Sequence, residues 1–329
     1  MLLVATAALM LSSGCRKSDS GKTPAEGGGR TLRIAVVPKG TTHVFWKSVH
    51  AGAERAAREL GGVEILWNGP LSEGDRDGQI TVIENFIANE VDGIVLAPLD
   101  RTALVPVVRR AKQAGIPTVI FDSALDKQAN DLIVSYVATD NYNGGVLAAR
   151  ELGKRLKGKG NAILLRYTAG SESTEQREQG FLDTIHKEFP SITMLSDNQE
   201  AGVTPESALE KSMQLFNQFG SKVNGVFTVC EPVTLGMLGA IEQEGLAGKV
   251  IFIGFDPSPK AIDALERRHL HGIVLQDPVN MGYEGVKTIV AHLRGKQVPK
   301  RVPTGEYVAT PENKDEPKTR KLLNPEQAG

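Results

Sequence analysis

Two adjacent aromatic residues, Phe45 and Trp46, follow the first apolar run of the chain, with His43 just before them. Aromatic residues make up only 5% of the sequence, so a pair at one point needs an explanation. Such a pair can open a helix as core residues, or it can offer aromatic faces to the C–H groups of a ligand. Neighbouring helical residues point about 100° apart and cannot share one core stripe equally. We therefore expect one of the two to face a cleft.

Three carboxylates stand directly after apolar runs of the sequence: Asp100, Asp122 and Asp256. For Asp100, capping of the next helix and contact with a ligand are equally compatible with the sequence. Asp122 and Asp256 could each close a turn. They nevertheless occupy equivalent points after strand-Phe-Asp patterns in the two halves of the chain, which favours a shared polar site.

Short apolar runs alternate with segments of helical spacing from Thr31 onward. The runs are 34–37, 65–67, 93–97, 118–121, 163–166, 226–229 and 250–255, and helical segments lie between them. This alternation predicts an α/β fold with parallel sheets covered on both faces. The repetition predicts two similar doubly wound lobes, in which ligands bind outside the carboxyl ends of the strands.

The composition and motifs exclude several classes of function. The formal net charge of −1 over 329 residues gives no basic surface for nucleic acid. No phosphate loop, nucleophile elbow or zinc-protease motif is present, so we expect neither an enzyme nor a cofactor. The scattered histidines show no metal-ligand spacing, and we predict no metal site.

The amino terminus has the pattern of an export signal. A short apolar region ends in Ser-Ser-Gly-Cys at Cys15. This region is too short to form a membrane-spanning helix. The ending resembles a bacterial lipoprotein cleavage site, so we predict a signal over 1–15 and lipidation of Cys15; a plain secretory signal is the alternative. Residues 16–30 are polar and glycine-rich and predict a flexible linker, and 313–329 predict a disordered tail.

The joint order of these motifs resembles the periplasmic sugar-binding proteins of the ribose-binding type. The markers are Phe45-Trp46, Ala97-Pro98, Phe121-Asp122, the Ala138-Thr139-Asp140-Asn141 segment with Gly144-Gly145, Arg177 with Gly180-Phe181, Gly254-Phe255-Asp256, and Gln276. The resemblance implies two lobes joined by a multi-strand hinge, with the ligand in the interlobe cleft. It implies a first lobe of 31–135 plus 277–306 and a second of 136–276 plus 307–312.

The resemblance also implies roles for individual residues. Phe45 and Trp46 match the aromatics that stack on the sugar ring, and Asp122 and Asp256 match the aspartates that accept hydrogen bonds from its hydroxyls. Arg177 matches the arginine that donates to sugar oxygens. Gln276 matches a glutamine near the hinge, and Ser135 falls where the chain crosses to the second lobe.

The sequence departs from the ribose type at several positions, including the absence of an aromatic residue near Gly202-Val203. His43 and Cys230 stand where that type has asparagines, and Ser123 stands where it has an arginine. Because the polar lining differs, we expect a different monosaccharide, a sugar alcohol or another small polyol in place of ribose. Cys230 could line the pocket or could be a small buried residue at a strand end.

The function that the resemblance implies is sugar binding outside the cytoplasm. We expect a monomer that serves an ABC permease and its ATPase and is tethered to the membrane through Cys15. A sensory receptor that hands its ligand to a chemotaxis or kinase partner is the alternative. The related sugar-responsive repressors carry a DNA-binding helix-turn-helix ahead of this core, where the present sequence has the export signal and linker.

Overall fold

The computed structural model describes residues 30–324, which form two six-stranded sheets. The first sheet has the strand order β11-β5-β4-β3-β1-β2. Its strands are β1 (Leu32–Val37), β2 (Val63–Trp67), β3 (Gly93–Leu96), β4 (Thr118–Phe121), β5 (Ser135–Ala138) and β11 (Arg301–Pro303). All of its strand pairs are parallel. β1, β3 and β4 carry runs of fully buried Ile, Val and Leu, because helices cover both faces of the sheet.

The second sheet repeats this plan with the order β12-β10-β9-β8-β6-β7. Its strands are β6 (Lys159–Arg166), β7 (Ser191–Glu200), β8 (Gly225–Thr228), β9 (Ile251–Phe255), β10 (Gly272–Leu275) and β12 (Tyr307–Ala309). Only the edge strand β12 pairs in the antiparallel sense, with β10. The two predicted doubly wound lobes are therefore confirmed.

The helices lie on both faces of each sheet. They are α1 (Val44–Leu60), α2 (Arg76–Ala88), α3 (Val105–Gln113), α4 (Asn141–Arg155), α5 (Glu172–Glu188), α6 (Pro205–Phe219), α7 (Glu231–Gln243), α8 (Pro259–Glu266), α9 (Pro278–Leu293) and α10 (Pro317–Leu323). Short 3-10 helices cover Lys127–Leu132 and Gly220–Lys222. None of the helices in residues 30–324 is both long and apolar enough to cross a membrane.

The chain passes between the two sheets three times, after β5, after β10 and between β11 and β12. We refer to each sheet with its packed helices as the first and the second lobe. The sequence placed the first crossing after residue 135, but β5 continues in the first sheet to Ala138, which pairs with β11, so the strand extends three residues beyond that boundary. The helix after each of the first two crossings then packs in the opposite lobe, α4 against α5 and α9 against α1.

The expected disorder of the tail is wrong for residues 313–324. Residues 311–315 form turns and Pro317–Leu323 forms α10. Leu323 is 5% exposed and belongs to the apolar core of the second lobe, which explains why this charged segment is ordered. The predictions for residues 1–29, including Cys15, lie outside the described residues.

Close helix contacts in both lobes depend on glycine. In the first lobe, a Cβ on Gly52 of α1 would lie 1.9 Å from the carbonyl oxygen of Val279, and one on Gly282 of α9 would lie 2.0 Å from that of Val49. In the second lobe, a Cβ on Gly145 of α4 would lie 2.0 Å from the carbonyl oxygen of Arg177. These distances leave no room for any side chain, so each lobe holds its crossing helix by backbone contact.

We predict that Gly282→Ala or Gly145→Ala lowers the free energy of unfolding by about 1–3 kcal/mol, because the added methyl group overpacks the interface. Gly239→Ala is the matched control, since its Cβ would meet only Leu209 Cδ1 at 3.4 Å. That change should be neutral or stabilising, as alanine favours helix over glycine. Urea unfolding of the variants checks this. Equal stability of the three variants would show that the helices can separate without cost.

Candidate ligand-binding site

A small cavity lies between the lobes, at the carboxyl ends of the strands of both sheets. The first lobe contributes Lys39, His43, Phe45, Trp46, Glu73 and Asp122. The second contributes Tyr167, Ser171, Ser173, Thr174, Arg177, Cys230, Glu231, Pro232, Asp256 and Gln276.

Phe45 and Trp46 both line this cavity, in the first turn of α1. Their ring centroids lie 4.8 Å apart with perpendicular planes, and Trp46 also meets Phe121 edge-on at 6.1 Å. Phe45 is 9% and Trp46 3% exposed. The sequence left core and cleft as alternatives. Both descriptions apply, because Phe45 and Trp46 belong to the apolar core of the first lobe and also line the cavity.

The carboxylate of Glu73 joins side chains from both lobes. Its Oε1 lies 2.7 Å from His43 Nδ1 and accepts a hydrogen bond from Trp46 Nε1 at 2.7 Å. Tyr167 of the second lobe donates to Oε2 at 2.8 Å. Burial alone would raise the pKa of Glu73, but the hydrogen bond and charge of His43 and the charge of Lys39 hold that pKa below its usual value.

The pKa of His43 is shifted in the opposite direction to that of Glu73. Burial acts to lower the pKa of its imidazole, but the hydrogen bond and charge of Glu73 outweigh burial and raise that pKa above the usual value. Both shifts favour the ion pair of imidazolium and carboxylate at this wall of the cavity. Glu73 therefore fixes the indole, the imidazole and the phenol around it by charge-assisted hydrogen bonds.

Lys39 and Asp122 form a buried ion pair, with Nζ 3.0 Å from Oδ2. Lys39 Nζ also donates across the cleft to Ser173 Oγ at 3.1 Å and to Ser171 Oγ at 3.3 Å. A lone buried ammonium would be costly, and these contacts from both lobes satisfy it. The pair therefore also links the lobes.

Arg177 anchors the second-lobe side of the cavity. Its Nε donates to Asn141 Oδ1 at 2.9 Å, its Nη1 to the carbonyl oxygen of Val229 at 2.8 Å and its Nη2 to Gln276 Oε1 at 3.0 Å. The guanidinium carbon lies 3.9 Å from the ring centroid of Phe255, a cation–π contact. The fork is therefore fixed before any ligand arrives.

Asp256 lies beside this fork. It accepts a hydrogen bond from Gln276 Nε2 at 2.7 Å, and its Oδ2 is 3.9 Å from Arg177 Nη1. Burial raises the pKa of Asp256 to about 6, although Arg177 and Gln276 counteract the rise. Asp256 has φ 65° and Asp122 has φ 60°. The two aspartates thus share the same left-handed backbone at equivalent strand ends, as the sequence symmetry suggested.

Cys230 and Glu231 form the wall where β8 passes into α7. Cys230 lines the cavity, and burial raises the pKa of its thiol well above the usual value, so the group is a neutral thiol. Burial likewise raises the pKa of Glu231 to about 7, although His43 opposes the rise. Both alternatives for Cys230 therefore apply, because it is a buried residue at a strand end and it also lines the cavity.

Two predicted site residues lie outside the cavity. Asp100 caps a turn, since its Oδ1 accepts hydrogen bonds from the backbone N–H groups of Thr102 and Ala103, both at 2.9 Å, and Oδ2 pairs with Arg76 at 3.2 Å. Ser135 is the first residue of β5 and lies buried at its amino end. The cavity is at the carboxyl ends of the strands, so the placement of Ser135 in the site was wrong.

Several cavity residues were not singled out from the sequence. Lys39, Tyr167 and Glu231 each come within a few residues of a strand's carboxyl end, so the strand-end rule could have identified them. Glu73 lies in the loop between β2 and α2, which has no periodic signal. Within residues 30–324, no group of three or more His, Cys, Asp and Glu side chains is placed to bind a metal ion.

The chain is similar to known sugar-binding proteins over most of its length. The family model for the periplasmic binding protein domain matches residues 34–297. The D-ribose/D-allose-binding protein of Pseudomonas aeruginosa is 30% identical over 284 residues, which cover 85% of this chain and 87% of that protein.

Solved structures show the same likeness. A carbohydrate-transporter solute-binding protein of Agrobacterium radiobacter, in complex with D-arabinose, is 33% identical with a TM-score of 0.84, covering 89% of this chain and 99% of that one. An ABC-transporter solute-binding protein of Agrobacterium vitis with bound D-fucose is 33% identical with a TM-score of 0.85, covering 88% and 99%. The chain therefore belongs to the periplasmic binding protein family, whose members bind solutes and are not enzymes.

Proposed function

We propose that this protein is the extracytoplasmic binding component of an ABC-type importer and holds a monosaccharide or small polyol between its lobes. The observation that carries the proposal is a cavity between the lobes that combines two aromatic residues with buried, paired charges from both lobes. Aromatic faces suit the C–H groups of a sugar ring, whereas carboxylates and a guanidinium suit its hydroxyls. The similar proteins named above bind pentoses and hexoses, which supports this class of ligand.

Ligand capture by closure of the lobes is supported by the contacts across the cleft. Tyr167 bonds to Glu73 across the cleft, and Lys39 reaches two serines of the second lobe. A ligand in this cavity completes its contacts only when the lobes are together, and that difference in contacts shifts the equilibrium toward the closed form. We infer that the closed form is the one that a permease recognises.

A thermal-shift screen against pentoses, hexoses, sugar alcohols and cyclitols tests the proposed function. A ligand that binds only the folded state raises the melting temperature by mass action, by about 2.7 kcal/mol of stabilisation at 100 times its dissociation constant. We expect a saturable shift with one or a few related compounds. The absence of a shift with every sugar and polyol would contradict the proposal.

Trp46→Ala should weaken binding of the sugar found in that screen by about 1–3 kcal/mol, because it removes a buried aromatic anchor. Trp46→Phe separates the two contributions of the residue. It keeps an aromatic face but loses the hydrogen bond to Glu73. Its loss of affinity should therefore be smaller than that of Trp46→Ala. Titration calorimetry on both variants measures the affinities. Unchanged binding by Trp46→Ala would assign the indole to the core alone.

Asp122→Asn and Asp256→Asn should each lower sugar affinity by roughly 1–3 kcal/mol, since the ligand hydroxyls lose a charged acceptor inside a closed cleft. Asparagine tolerates the left-handed backbone at both positions, so the fold should persist. Small-angle scattering with and without sugar should show less compaction than for the wild type. Asp263→Asn, on the exposed face of α8, is the control. Normal compaction of both cavity variants would show that these aspartates do not hold the ligand between the lobes.

Cys15→Ser should release the protein from membranes if Cys15 carries the lipid anchor. Two or three acyl chains hold a protein firmly, whereas one chain binds only marginally. The measurement is the fraction of protein that sediments with membranes before and after the substitution. Unaltered sedimentation of the variant would contradict the anchor while leaving the ligand-binding proposal intact.

A further inference from the structure

Glu231 is the first residue of α7 and borders the cavity from the second lobe. It is 6% exposed, and its Oε2 has no hydrogen-bond partner among the described residues. The backbone N–H of Phe45, in the first turn of α1, lies close enough to this carboxylate to oppose the rise in its pKa. The side chain thus lies where the two lobes meet, and its Oε2 is left without a partner beside the cavity.

The other carboxylates that line the cavity are all satisfied by side chains. Glu73 has three partners, Asp122 pairs with Lys39, and Asp256 accepts from Gln276. A buried carboxylate oxygen without a partner carries a desolvation cost, which a protein retains only where something compensates for it. Glu231 is the one cavity carboxylate in residues 30–324 that shows this cost.

The charged groups around Glu231 do not remove the cost. His43 faces it from the segment before α1, while Glu73 and Asp256 face it from the loops after β2 and β9. Lys39 and Arg177 also line the cavity, but their ion pairs and hydrogen bonds go to other groups. On the outer side, Glu206 and Lys260 border a surface groove that Glu231 also reaches.

We propose that Glu231 is a specificity-determining residue of the cavity, whose Oε2 accepts a hydrogen bond from a donor group on the bound ligand. The proposal rests on the proposed function of the cavity. A hydroxyl or a protonated amine supplies the donor, and an amine also offsets the charge. A site with a buried acceptor discriminates against analogues that lack the matching donor, because their binding leaves the acceptor unpaired.

The first test uses the full chain without sugar and compares Glu231→Gln with the wild type. Glutamine keeps an acceptor for the Phe45 N–H and removes the uncompensated charge. The folded-state pKa of Glu231, about 7, exceeds its ordinary value of 4.5, so its ionisation reduces stability progressively as pH rises from about 4.5 to 7. Above pH 7 the variant should melt about 2 °C or more higher than the wild type, and near pH 4 the difference should vanish. An unchanged melting temperature at pH 8 would show that the carboxylate is already compensated and would overturn the proposal.

The second test measures sugar binding by Glu231→Ala, Glu231→Gln and the wild type. The probes are D-allose, D-ribose with 2-deoxy-D-ribose, and D-glucose with D-glucosamine. Glu231→Ala should bind the tightest of these probes about 5- to 100-fold more weakly. Glu231→Gln should retain more affinity than Glu231→Ala if the donor is a hydroxyl, and should lose as much if the donor is the amine. Glu244→Gln, at the exposed far end of the same helix, is the control and should bind as the wild type does.

The two tests together separate this proposal from the proposed function. Higher stability without sugar combined with weaker sugar binding is expected of a residue kept for its ligand, and it supports the assignment. Normal sugar binding by Glu231→Ala overturns the role of Glu231 and leaves the sugar-binding function standing. Failure of the wild type to bind any sugar or polyol in the wider screen overturns the proposed function and this proposal with it.

Discussion

Every charged side chain that enters the interlobe cavity needs a partner once the lobes exclude water, and this requirement accounts for most of the site's geometry. Lys39 sits against Asp122, and Glu73 gathers an imidazole, an indole and a phenol around one carboxylate. Most of these partners lie within one lobe, but Tyr167 and two serines reach Glu73 and Lys39 from the opposite lobe. Closing the lobes therefore completes the contacts of the site.

The two lobes hold this arrangement through the same construction. In each lobe, the strand ends at the cavity carry the polar groups. The helix that follows the crossing from the other sheet packs through glycine against a helix of the lobe, α9 against α1 and α4 against α5. In the second lobe that contact leaves no room even for a methyl group between Gly145 and the backbone of Arg177. The arginine that anchors the cavity is thus positioned by its helix backbone as well as by its hydrogen bonds.

The sequence predicted those parts of the structure that have a periodic or strand-end signal. Most of the buried parallel strands were recognised as apolar runs, whereas the buried strand β10 and the polar edge strand β7 were not. Asp122 and Asp256 were singled out as site candidates because each directly follows such a run, and both line the cavity. Glu73 was not, since its partners are brought to it by tertiary contacts, one of them 94 residues away at Tyr167. Ser135 was misplaced because proximity to a crossing does not say which end of the strand faces the cavity.

The left-handed backbone at Asp122 and Asp256 has a consequence for how ligand preference can change during evolution. Glycine, asparagine and aspartate adopt this conformation most readily, and β-branched side chains are the most strongly disfavoured. A new preference that required a β-branched side chain at either position would therefore have to change the backbone of the strand end. Positions with ordinary backbone, such as His43 and Cys230, carry no such restriction. The cavity therefore contains two aspartates whose replacement is limited by the backbone, and other positions at which single substitutions can change ligand preference without a change of backbone.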